Sequence, residues 1–588
     1  MPQKSRLIYD LLAHAARINP TDSTFLKRRP NGEFSSFSYS QMKEMTDQLI
    51  AGWVKFGLKS GERVLLLCDP SNYWFMVDTS ILSVGAVSVP RATDVTDDDI
   101  LYISNHAECS LAIVQNQKTA DKLKRLQSLS KIDTIKKVLI IEEVDLSLKR
   151  GSDTLFDIIE SGKKTLTEDT EIVSRTLSSV DEKALATLIY TSGTTGAPKG
   201  VMLSQYAWIQ AVSRTLPRTG IKSSDRALSL LPPWHALERA IEYAIVSLGV
   251  PFMISDISSL RDDLKLYRPS VFPSVPRIWE SVYNGIISKL KNESPLKRKV
   301  FEFAISIGTV YNRFKSITFG YSLQIDRPNF IVSIIKRSLA AIALILLLPF
   351  RGLSYLIFRP IRQALGGRLT FSVSGGSALP SVVDRFLSAI GITVLEGYGM
   401  TETAAVISIR NQSAPTLGTV GTPLDGYQVR LINDHGVDVS SIAGAKGTLW
   451  VKSDQLLMGY YRRPELNEVV FDKNGFFDTG DLMMLTHKNQ LMFAGRTKDT
   501  IVLAGGENIE PVPIEGRLLE SEYIDQVMVV GDERKTLSAL IVPDFDRVRN
   551  SIQDIGDPKS WNEDPQIRNL FSAEINRLII KDQSFKTF

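Results

Sequence analysis

Residues 190–200 read Tyr-Thr-Ser-Gly-Thr-Thr-Gly-Ala-Pro-Lys-Gly. This stretch decides the fold, because short apolar, β-branched runs at 187–190 and 201–203 predict a strand on each side of it. Ser204 is a typical N-cap residue and predicts a helix that begins at Gln205. The glycines between the strands let backbone N–H groups approach an oxyanion closely. We therefore expect a loop that binds phosphate.

Lys199 adds a mobile positive charge to this loop, so the predicted ligand is a di- or triphosphate. The loop does not follow the Walker pattern, because two residues separate Gly196 from Lys199 and a glycine follows the lysine. A Gly/Ser/Thr stretch is often a mobile surface loop, but the eleven residues together resemble the phosphate loop of the adenylate-forming superfamily. The resemblance implies nucleotide contacts from Thr191, Ser192, Gly193, Thr194, Thr195, Gly196 and Lys199, with Thr194 also a metal ligand.

The composition is that of an ordinary soluble chain that is too long for one hydrophobic core. Its 588 residues are 43% hydrophobic and 23% charged, so at least two folding units are expected. The net charge of +4 is too small to predict nucleic-acid binding. Two cysteines, Cys68 and Cys109, predict no disulfide framework and favour a reducing cytoplasm. The five histidines lack the spacing of metal ligands.

Strands and helices alternate along the first 150 residues, which predicts βαβ units and a mostly parallel sheet. Predicted strands lie at 63–68, 86–89, 111–115 and 138–142, and predicted helices at 7–18, 74–84 and 97–105. The family resemblance implies an α/β protein in two parts. Residues 1–495 form a large domain of mixed, mostly parallel sheets flanked by helices, with a small β-region, and residues 496–588 form a small mobile α+β domain.

Residues 231–239 read Leu-Pro-Pro-Trp-His-Ala-Leu-Glu-Arg and resemble a second motif of the superfamily. In that motif an aromatic residue or histidine closes over the substrate carboxylate and the α-phosphate, which makes His235 a substrate-site candidate. A lone histidine is more often structural, and that alternative stays open. Glu238 and Arg239 resemble the long-chain branch of the family.

Two glycine-containing turns predict the adenine site. Gly375 and Gly376 follow the predicted strand 369–374, and their small size allows an adenine ring to lie on the backbone. Residues 393–402 repeat that geometry and match the family motif Y-G-x-T-E. The match implies that Tyr398 stacks on adenine beside Gly399, that Thr401 bonds a phosphate and that Glu402 binds Mg²⁺.

Residues 476–481 match a further motif, in which Asp481 accepts both ribose hydroxyls. The next match begins at Gly495 and implies that Arg496 reaches ribose or phosphate. It also places Lys498 at the hinge of the small domain. Residues 503–511 fit the segment that meets the channel for the CoA thiol.

Residues 331–358 contain an uncharged run from Ser338 to Phe350, flanked by Lys336, Arg337 and Arg351. The run has 13 residues, whereas a membrane span needs about 20. A buried core helix and a contact in the plane of a membrane both fit this pattern, and a span fits it poorly. We expect peripheral contact with the inner face of the cytoplasmic membrane.

The motifs together resemble bacterial long-chain fatty acid–CoA ligases from about residue 40 onward. The resemblance implies ATP-dependent formation of an acyl-adenylate, transfer of the acyl group to CoA, and release of AMP and pyrophosphate. ATP, Mg²⁺ and CoA are the expected cofactors and fatty acid the expected substrate. The implied catalytic residues are Lys199, His235, Thr401, Glu402 and Arg496. No protein nucleophile is needed, which agrees with the lack of an evident Cys–His or Ser–His pair.

One departure from the family pattern keeps alternatives open. The segment that carries the family's adenylation lysine is not found before Phe588, and the contexts of Lys581 and Lys586 do not match it. The first alternative is a fatty acyl-AMP ligase or an acyl-carrier-protein ligase. The second is a membrane-associated protein that binds acyl groups and nucleotide with impaired turnover. The sequence does not indicate the oligomeric state, the acyl chain length or whether the chain is truncated before that lysine segment.

Overall fold

The computed structural model describes residues 5–28, 32–129, 131–141, 154–193, 196–504, 507–552 and 555–580. Its strands are β1 (Ser23–Arg28), β2 (Phe34–Ser38), β3 (Arg63–Leu67), β4 (Val87–Arg91), β5 (Leu111–Val114), β6 (Lys137–Ile140), β7 (Leu185–Gly193), β8 (Gly196–Ser204), β9 (Ala227–Ser229), β10 (Phe252–Ile254), β11 (Val271–Ser274), β12 (Phe371–Ser374), β13 (Thr393–Tyr398), β14 (Ser408–Ile409), β15 (Thr422–Pro423), β16 (Gln428–Ile432), β17 (Lys446–Lys452), β18 (Gly459–Tyr460), β19 (Phe477–Leu485), β20 (Leu491–Arg496), β21 (Ile501–Val502), β22 (Asn508–Ile509), β23 (Ile524–Val530) and β24 (Ser538–Pro543).

The helices are α1 (Ile8–Ile18), α2 (Tyr39–Phe56), α3 (Trp74–Ser83), α4 (Asp97–Ala107), α5 (Gln117–Ser128), α6 (Leu155–Glu168), α7 (Ile172–Ser179), α8 (Gln205–Thr219), α9 (Ala236–Ser247), α10 (Leu260–Tyr267), α11 (Pro276–Lys291), α12 (Pro295–Thr318), α13 (Phe330–Ile357), α14 (Arg359–Ala364), α15 (Ser381–Ile390), α16 (Pro464–Val470), α17 (Pro511–Leu518), α18 (Phe545–Ser551) and α19 (Pro565–Ile575).

Two large sheets confirm the predicted α/β class. The first has the strand order β18-β8-β7-β4-β3-β5-β6, and the second has the order β15-β14-β13-β12-β11-β9-β10-β1-β2. Their central strands are parallel, and the antiparallel pairs lie toward the edges. The small β-region is the antiparallel sheet β16-β17-β19-β20, and two hairpins, β21-β22 and β23-β24, follow it.

The expected loop at 190–200 is instead a β-hairpin, which corrects the loop prediction. Strand β7 continues to Gly193, and Thr191 pairs with Lys199 on β8. Antiparallel pairing extends this far because backbone groups of the flanking residues find partners across the hairpin, with a register shift between Thr191 and Gly193. The predicted helix start is confirmed, since the Ser204 hydroxyl accepts from the N–H of Ala207. Thr194 and Thr195, and Glu142 of the predicted strand 138–142, lie outside the described residues.

The apolar segment 331–358 forms one long helix, α13, and the alternative of a buried core helix is wrong. Its buried residues are Ala340 and Ser354, whereas most of its large apolar side chains are exposed. The helix continues past both ends of the uncharged run, so the argument that it is too short to span a bilayer also fails. By length and composition alone, with a mean hydropathy of 2.3, it is long and apolar enough to cross one.

A buried charge network fixes three helices at the centre of the large domain. Arg239 on α9 forms an ion pair with Asp78 on α3, and both side chains are fully buried. Tyr243 accepts from Arg239 Nε at 2.8 Å and donates to Asp78 at 2.9 Å. The guanidinium lies 5.3 Å from the ring centroid of Trp74 and 5.6 Å from that of Trp208 on α8. Helices α3, α8 and α9 therefore meet around one cation.

We expect Arg239→Met to lower the free energy of unfolding by about 3–5 kcal/mol, because it leaves the buried Asp78 carboxylate without its partner. The matched control is Lys297→Met, which breaks an exposed ion pair with Glu293 and should cost at most about 1 kcal/mol. Urea unfolding followed by circular dichroism measures both. The double variant Asp78→Leu with Arg239→Met should recover part of the loss. Equal midpoints for parent and Arg239→Met would contradict the role of the network.

Candidate active site

One cavity combines a polar mouth with an apolar channel. Its volume is about 470 Å³, within the range of roughly 300–1,000 Å³ that is usual for small-molecule sites. The mouth includes Thr191, His235, Gly375, Gly376, Thr401, Glu402 and Arg496. The channel runs between α8 and α9 and is lined by Ala211, Val212, Leu216, Ala240, Ile241, Ala244 and Ile245. Small and apolar residues on facing helices leave a space suited to an extended hydrocarbon.

A second cavity of about 90 Å³ adjoins the mouth and shares Gly376 and Arg496 with it. Tyr398, Asp481 and Phe493 also line it. Gly376 has a φ of +89°, a conformation that L side chains rarely adopt, so a glycine is required at this turn. The predicted adenine-site residues are therefore brought together around one small space, and their contacts with a nucleotide stay predictions.

Asp481 is held at this cavity by two donors. The Tyr398 hydroxyl donates to Asp481 Oδ2 at 2.6 Å, and Arg496 Nε lies 3.3 Å from Oδ1. The two strands impose this arrangement, because Asp481 on β19 and Arg496 on β20 are direct cross-strand partners. Burial raises the pKa of Asp481, while Tyr398 and Arg496 act in the opposite direction. Asp481, the predicted ribose ligand, is thus oriented by Tyr398 and Arg496, which are themselves predicted to contact the nucleotide.

Glu402 lines the mouth and shares a neighbour with Lys199, namely Tyr460, a residue that the sequence motifs did not single out; Lys199 and Tyr460 themselves do not line the cavity. The Tyr460 hydroxyl donates to Glu402 Oε1 at 2.9 Å, and Lys199 Nζ lies 5.3 Å from the Tyr460 ring centroid. Burial raises the pKa of Glu402, against the effects of Tyr460 and Lys199. Tyr460 lies on the two-residue strand β18, which pairs with β8. So short a strand has no periodic pattern that would reveal it in a sequence.

His235 lies at the N-terminal end of α9, at the entrance of the channel. His235 is exposed to solvent, yet nearby protein atoms displace enough water to lower the pKa of its imidazole. The positive charge of Arg91 lowers this pKa further. One turn deeper, Glu238 is fully buried and accepts a hydrogen bond from the Ser229 hydroxyl. Burial raises the pKa of Glu238, which favours the neutral form of its carboxyl. A buried polar side chain therefore lines the channel just below its entrance.

The predicted hinge is an exposed turn directly after β20. The N–H of Thr497 donates to the Gly480 carbonyl at 3.0 Å, and the N–H of Asp499 donates to the Arg496 carbonyl at 3.0 Å. Lys498 lies at the tip of this turn and is exposed. An exposed turn with few backbone bonds suits a hinge, but the hinge role and the domain boundary at 495/496 stay predictions.

One buried guanidinium connects both walls of the smaller cavity, and sequence reasoning missed it. Arg410 Nη2 donates to Glu396 Oε2 at 2.6 Å, and its Nε donates to the Thr419 carbonyl at 2.6 Å. Glu396 and Val420, which follows Thr419, both line that cavity. The second oxygen of Glu396 accepts from the N–H of Leu379 at 2.9 Å. Arg410 thus positions the walls without touching the space itself.

Family models match most of the chain. The AMP-binding enzyme model matches residues 12–461, and the model of the AMP-binding enzyme C-terminal domain matches residues 498–562. The chain therefore belongs to the AMP-binding enzyme family, the adenylate-forming ligases. This membership confirms the resemblance stated from the motifs.

Curated relatives align along almost the whole chain. It is 31% identical to the probable acyl-activating enzyme 16 of Arabidopsis thaliana, over 93% of this chain and 78% of the relative. It is 32% identical to the long-chain-fatty-acid–[acyl-carrier-protein] ligase AEE15 of the same plant, over 92% and 76%. It is 29% identical to the long-chain-fatty-acid–CoA ligase FadD15 of Mycobacterium tuberculosis, over 89% and 80%.

Solved structures confirm the fold. An anthranilate CoA ligase in complex with anthranoyl-AMP superposes with a TM-score of 0.70 at 16% identity, covering 98% of this chain and 92% of the other. A benzoate CoA ligase from Burkholderia xenovorans gives 0.68 at 16% identity, covering 98% and 94%. At this identity the likeness extends to the fold alone.

We expect Glu396→Gln to weaken nucleotide binding severalfold, because it loosens the tie between Arg410 and the cavity wall while it keeps the side-chain volume. The matched control is Asp384→Asn. Asp384 also pairs with Arg410, at 2.9 Å, but it lies on α15 and does not line the cavity. Calorimetric titration with ATP compares the two variants with the parent. Equal weakening in both would show that Arg410 acts on overall stability and not on the nucleotide site.

Proposed function

We propose that the protein activates a long-chain fatty acid with ATP to an acyl-adenylate and then transfers the acyl group to CoA, releasing pyrophosphate and AMP. One observation carries this proposal. A single cavity joins a polar mouth, lined by the phosphate-motif residue Thr191 and by Thr401 and Glu402, to a long apolar channel. Because the mouth adjoins the smaller cavity, a substrate carboxylate at the mouth would lie near the α-phosphate of a nucleotide bound in that cavity.

The proposed chemistry needs positioned charges and no covalent enzyme intermediate. A carboxylate oxygen attacks the α-phosphorus, and the bond to pyrophosphate breaks. The CoA thiol then attacks the acyl carbon, and AMP leaves. Lys199, Thr401 and Arg496 would stabilise negative charge on the phosphate oxygens, and His235 would cover the acyl carboxylate. The apolar channel walls exclude water from the adenylate.

The mouth fits a magnesium ion by its donor chemistry. Glu402 offers a carboxylate beside Thr401, and hard oxygen donors suit Mg²⁺. Within the described residues, no group of three His, Cys, Asp or Glu side chains forms a metal cage. A single carboxylate supplemented by substrate phosphates is the usual arrangement for this ion. Glu402 would hold Mg²⁺, which supplies charge neutralisation on the phosphates when bound.

The acyl acceptor separates the main proposal from its first alternative. The relatives include both CoA ligases and an acyl-carrier-protein ligase. Pyrophosphate release measured across a series of acids, with CoA, with a carrier protein and with neither, tests the proposal. A CoA thioester is the expected product. A thioester formed only on the carrier protein, or release of acyl-AMP alone, would replace the proposed acceptor.

The second alternative is an acyl- and nucleotide-binding protein with little turnover. It is motivated by the contexts of Lys581 and Lys586, which do not match that of the family's adenylation lysine, and residues 581–588 lie outside the described residues. The adjoining cavities favour an enzyme over a binding protein, because residues predicted to contact phosphate and residues predicted to contact the substrate carboxylate lie at one mouth. Absence of pyrophosphate release with every acid tested would favour the binding protein.

We also propose a cytoplasmic location at the inner face of the cytoplasmic membrane, with residues 331–358 as the contact. Both thiols are buried, which suits a reducing compartment. The exposed apolar surface of α13 supports a peripheral contact.

We expect Glu402→Gln to reduce pyrophosphate release by a factor of at least about 100, since loss of a metal-bridging carboxylate removes several kcal/mol of transition-state stabilisation. Glu465→Gln is the control, because that carboxylate is exposed and pairs only with Arg463 among the ion pairs of the described residues. Circular dichroism checks that both variants fold. Near-parental turnover by Glu402→Gln would remove Glu402 from the mechanism.

We expect Ala244→Leu to shift the preference from long to shorter acids, because added carbons fill the channel that Ala244 lines. Activity with a short acid serves as the internal control, since that substrate does not reach the filled part. The ratio of kcat/KM for palmitate to that for hexanoate measures the shift. An unchanged ratio would show that the acyl chain does not occupy this channel.

A further inference from the structure

Helix α13 exposes an apolar surface that no other described part of the chain covers. It packs antiparallel on α12, where the Ser354 hydroxyl donates to the Ala304 carbonyl at 3.1 Å. The opposite side carries Ile342, Ile345, Leu353 and Leu356, each more than half exposed. A continuous apolar surface along a 28-residue helix is uncommon on a protein that has no partner for it.

The charge around this helix specifies the chemistry of its partner. No Asp or Glu occurs between Asp326 and Asp384. The same interval contains seven cations: Arg327, Lys336, Arg337, Arg351, Arg359, Arg362 and Arg368. Lys336 and Arg359 are exposed near the two ends of α13. Within residues 327–383, the apolar strip of α13 therefore has cations near its ends and no anion, which matches a bilayer with anionic headgroups.

Helix α12 determines how α13 meets that bilayer. Helix α12, which packs on α13, also carries charged residues that are exposed to solvent, among them Glu302, Arg313 and Lys315. If α13 crossed the membrane with α12 beside it, these charges would enter hydrocarbon at about 2.5–3.5 kcal/mol each. The Arg351 side chain also ties α13 to α15, donating to the Ala389 carbonyl at 2.6 Å. The packing thus keeps α13 on the protein surface and in the plane of the membrane.

The central sheet separates this surface from the acyl channel. On β11, Val271 and Pro273 line the channel, whereas Phe272 packs in the core cluster that contains Ala304 of α12 and Phe358. Successive strand residues point to opposite faces of a sheet. The α12–α13 pair therefore covers the face opposite to the channel.

We infer that α13 is a docking helix that lies flat in the headgroup region of an anionic bilayer, with the acyl channel on the far side of the sheet. This inference rests on the peripheral contact of the proposed function and adds its lipid chemistry, its orientation and its distance from the channel. It follows that α13 holds the protein at the membrane and contributes no residue to the reaction site.

Vesicle flotation tests the surface. The parent should float with phosphatidylglycerol vesicles and weakly with phosphatidylcholine vesicles. The triple variant Ile342→Gln, Ile345→Gln, Leu356→Gln should lose flotation. The control Met528→Gln, Leu540→Gln removes exposed apolar side chains from β23 and β24 and should float like the parent. Flotation of the triple variant at the parental level would overturn the inference.

Charge and orientation have separate tests. Lys336→Gln and Arg359→Gln should each weaken binding to phosphatidylglycerol vesicles roughly fivefold, and unchanged binding would overturn the lipid assignment. For orientation, Arg327→Cys and Arg359→Cys are labelled with an impermeant maleimide on inverted membrane vesicles from expressing cells. Both cysteines should react from the outer, cytoplasmic side. Protection of one of them would indicate a span and overturn the in-plane arrangement.

Two further measurements distinguish the outcomes. Sedimentation without lipid shows whether a second copy covers α13, and a dimer that the triple variant dissociates, together with no flotation, would overturn the membrane assignment. Pyrophosphate release with water-soluble octanoate should be the same in the parent and the triple variant. Loss in the variant alone would overturn the separation of docking surface and channel. No release by the folded parent would count against the proposed function and would leave the flotation result standing.

Discussion

The ion pair between Arg239 and Asp78 is the contact on which the active site most depends. Helix α9 carries His235 at its start and lines the channel along its length, and α8 lines the other side. Apolar packing alone allows two helices to slide, whereas a fully buried ion pair with defined hydrogen bonds permits one register. We therefore expect the channel width to depend on a charge that is not in the channel.

At the smaller cavity, a different buried cation, Arg410, orients carboxylates in the same way. Arg410 is buried between Glu396 and Asp384, and burial raises the pKa of both carboxyls while Arg410 opposes it. Asp481 is likewise held by Tyr398 and by Arg496. In each case buried partners fix the orientation of a carboxylate, which limits the reorganisation that charge on a phosphate would require. The two buried guanidiniums, Arg239 and Arg410, thus lie beside different parts of the site, the channel and the smaller cavity.

Alternating strand and helix patterns predicted the fold class, and the family resemblance supplied the candidate residues at the mouth. The Ser204 N-cap and the strands at 63–68 and 111–115 depend on neighbouring residues, and the structure places them within a residue of the prediction. Of the candidates from the resemblance, Thr191, His235 and Glu402 line the mouth, whereas Lys199 lines neither cavity. Contacts over long separations were not predictable in the same way. Tyr460 reaches Glu402 across 58 positions, and no periodic pattern connects them. The hairpin at 190–200 was misjudged because glycine-rich composition indicates a loop even where cross-strand pairing is available.

In the proposed function, one face of the sheet borders the channel whose mouth opens to water, and the other face lies on the side of the bilayer. ATP and CoA are dissolved in water, so the mouth that receives them has to stay open to the cytoplasm. A long-chain fatty acid is concentrated in the bilayer, so the protein gains by staying near it. Because side chains of β11 alternate between the channel and the α12 side, the same strand supports both requirements without bringing them together. A docked protein would keep its mouth away from the lipid, and the acid would have to leave the bilayer before it entered the channel.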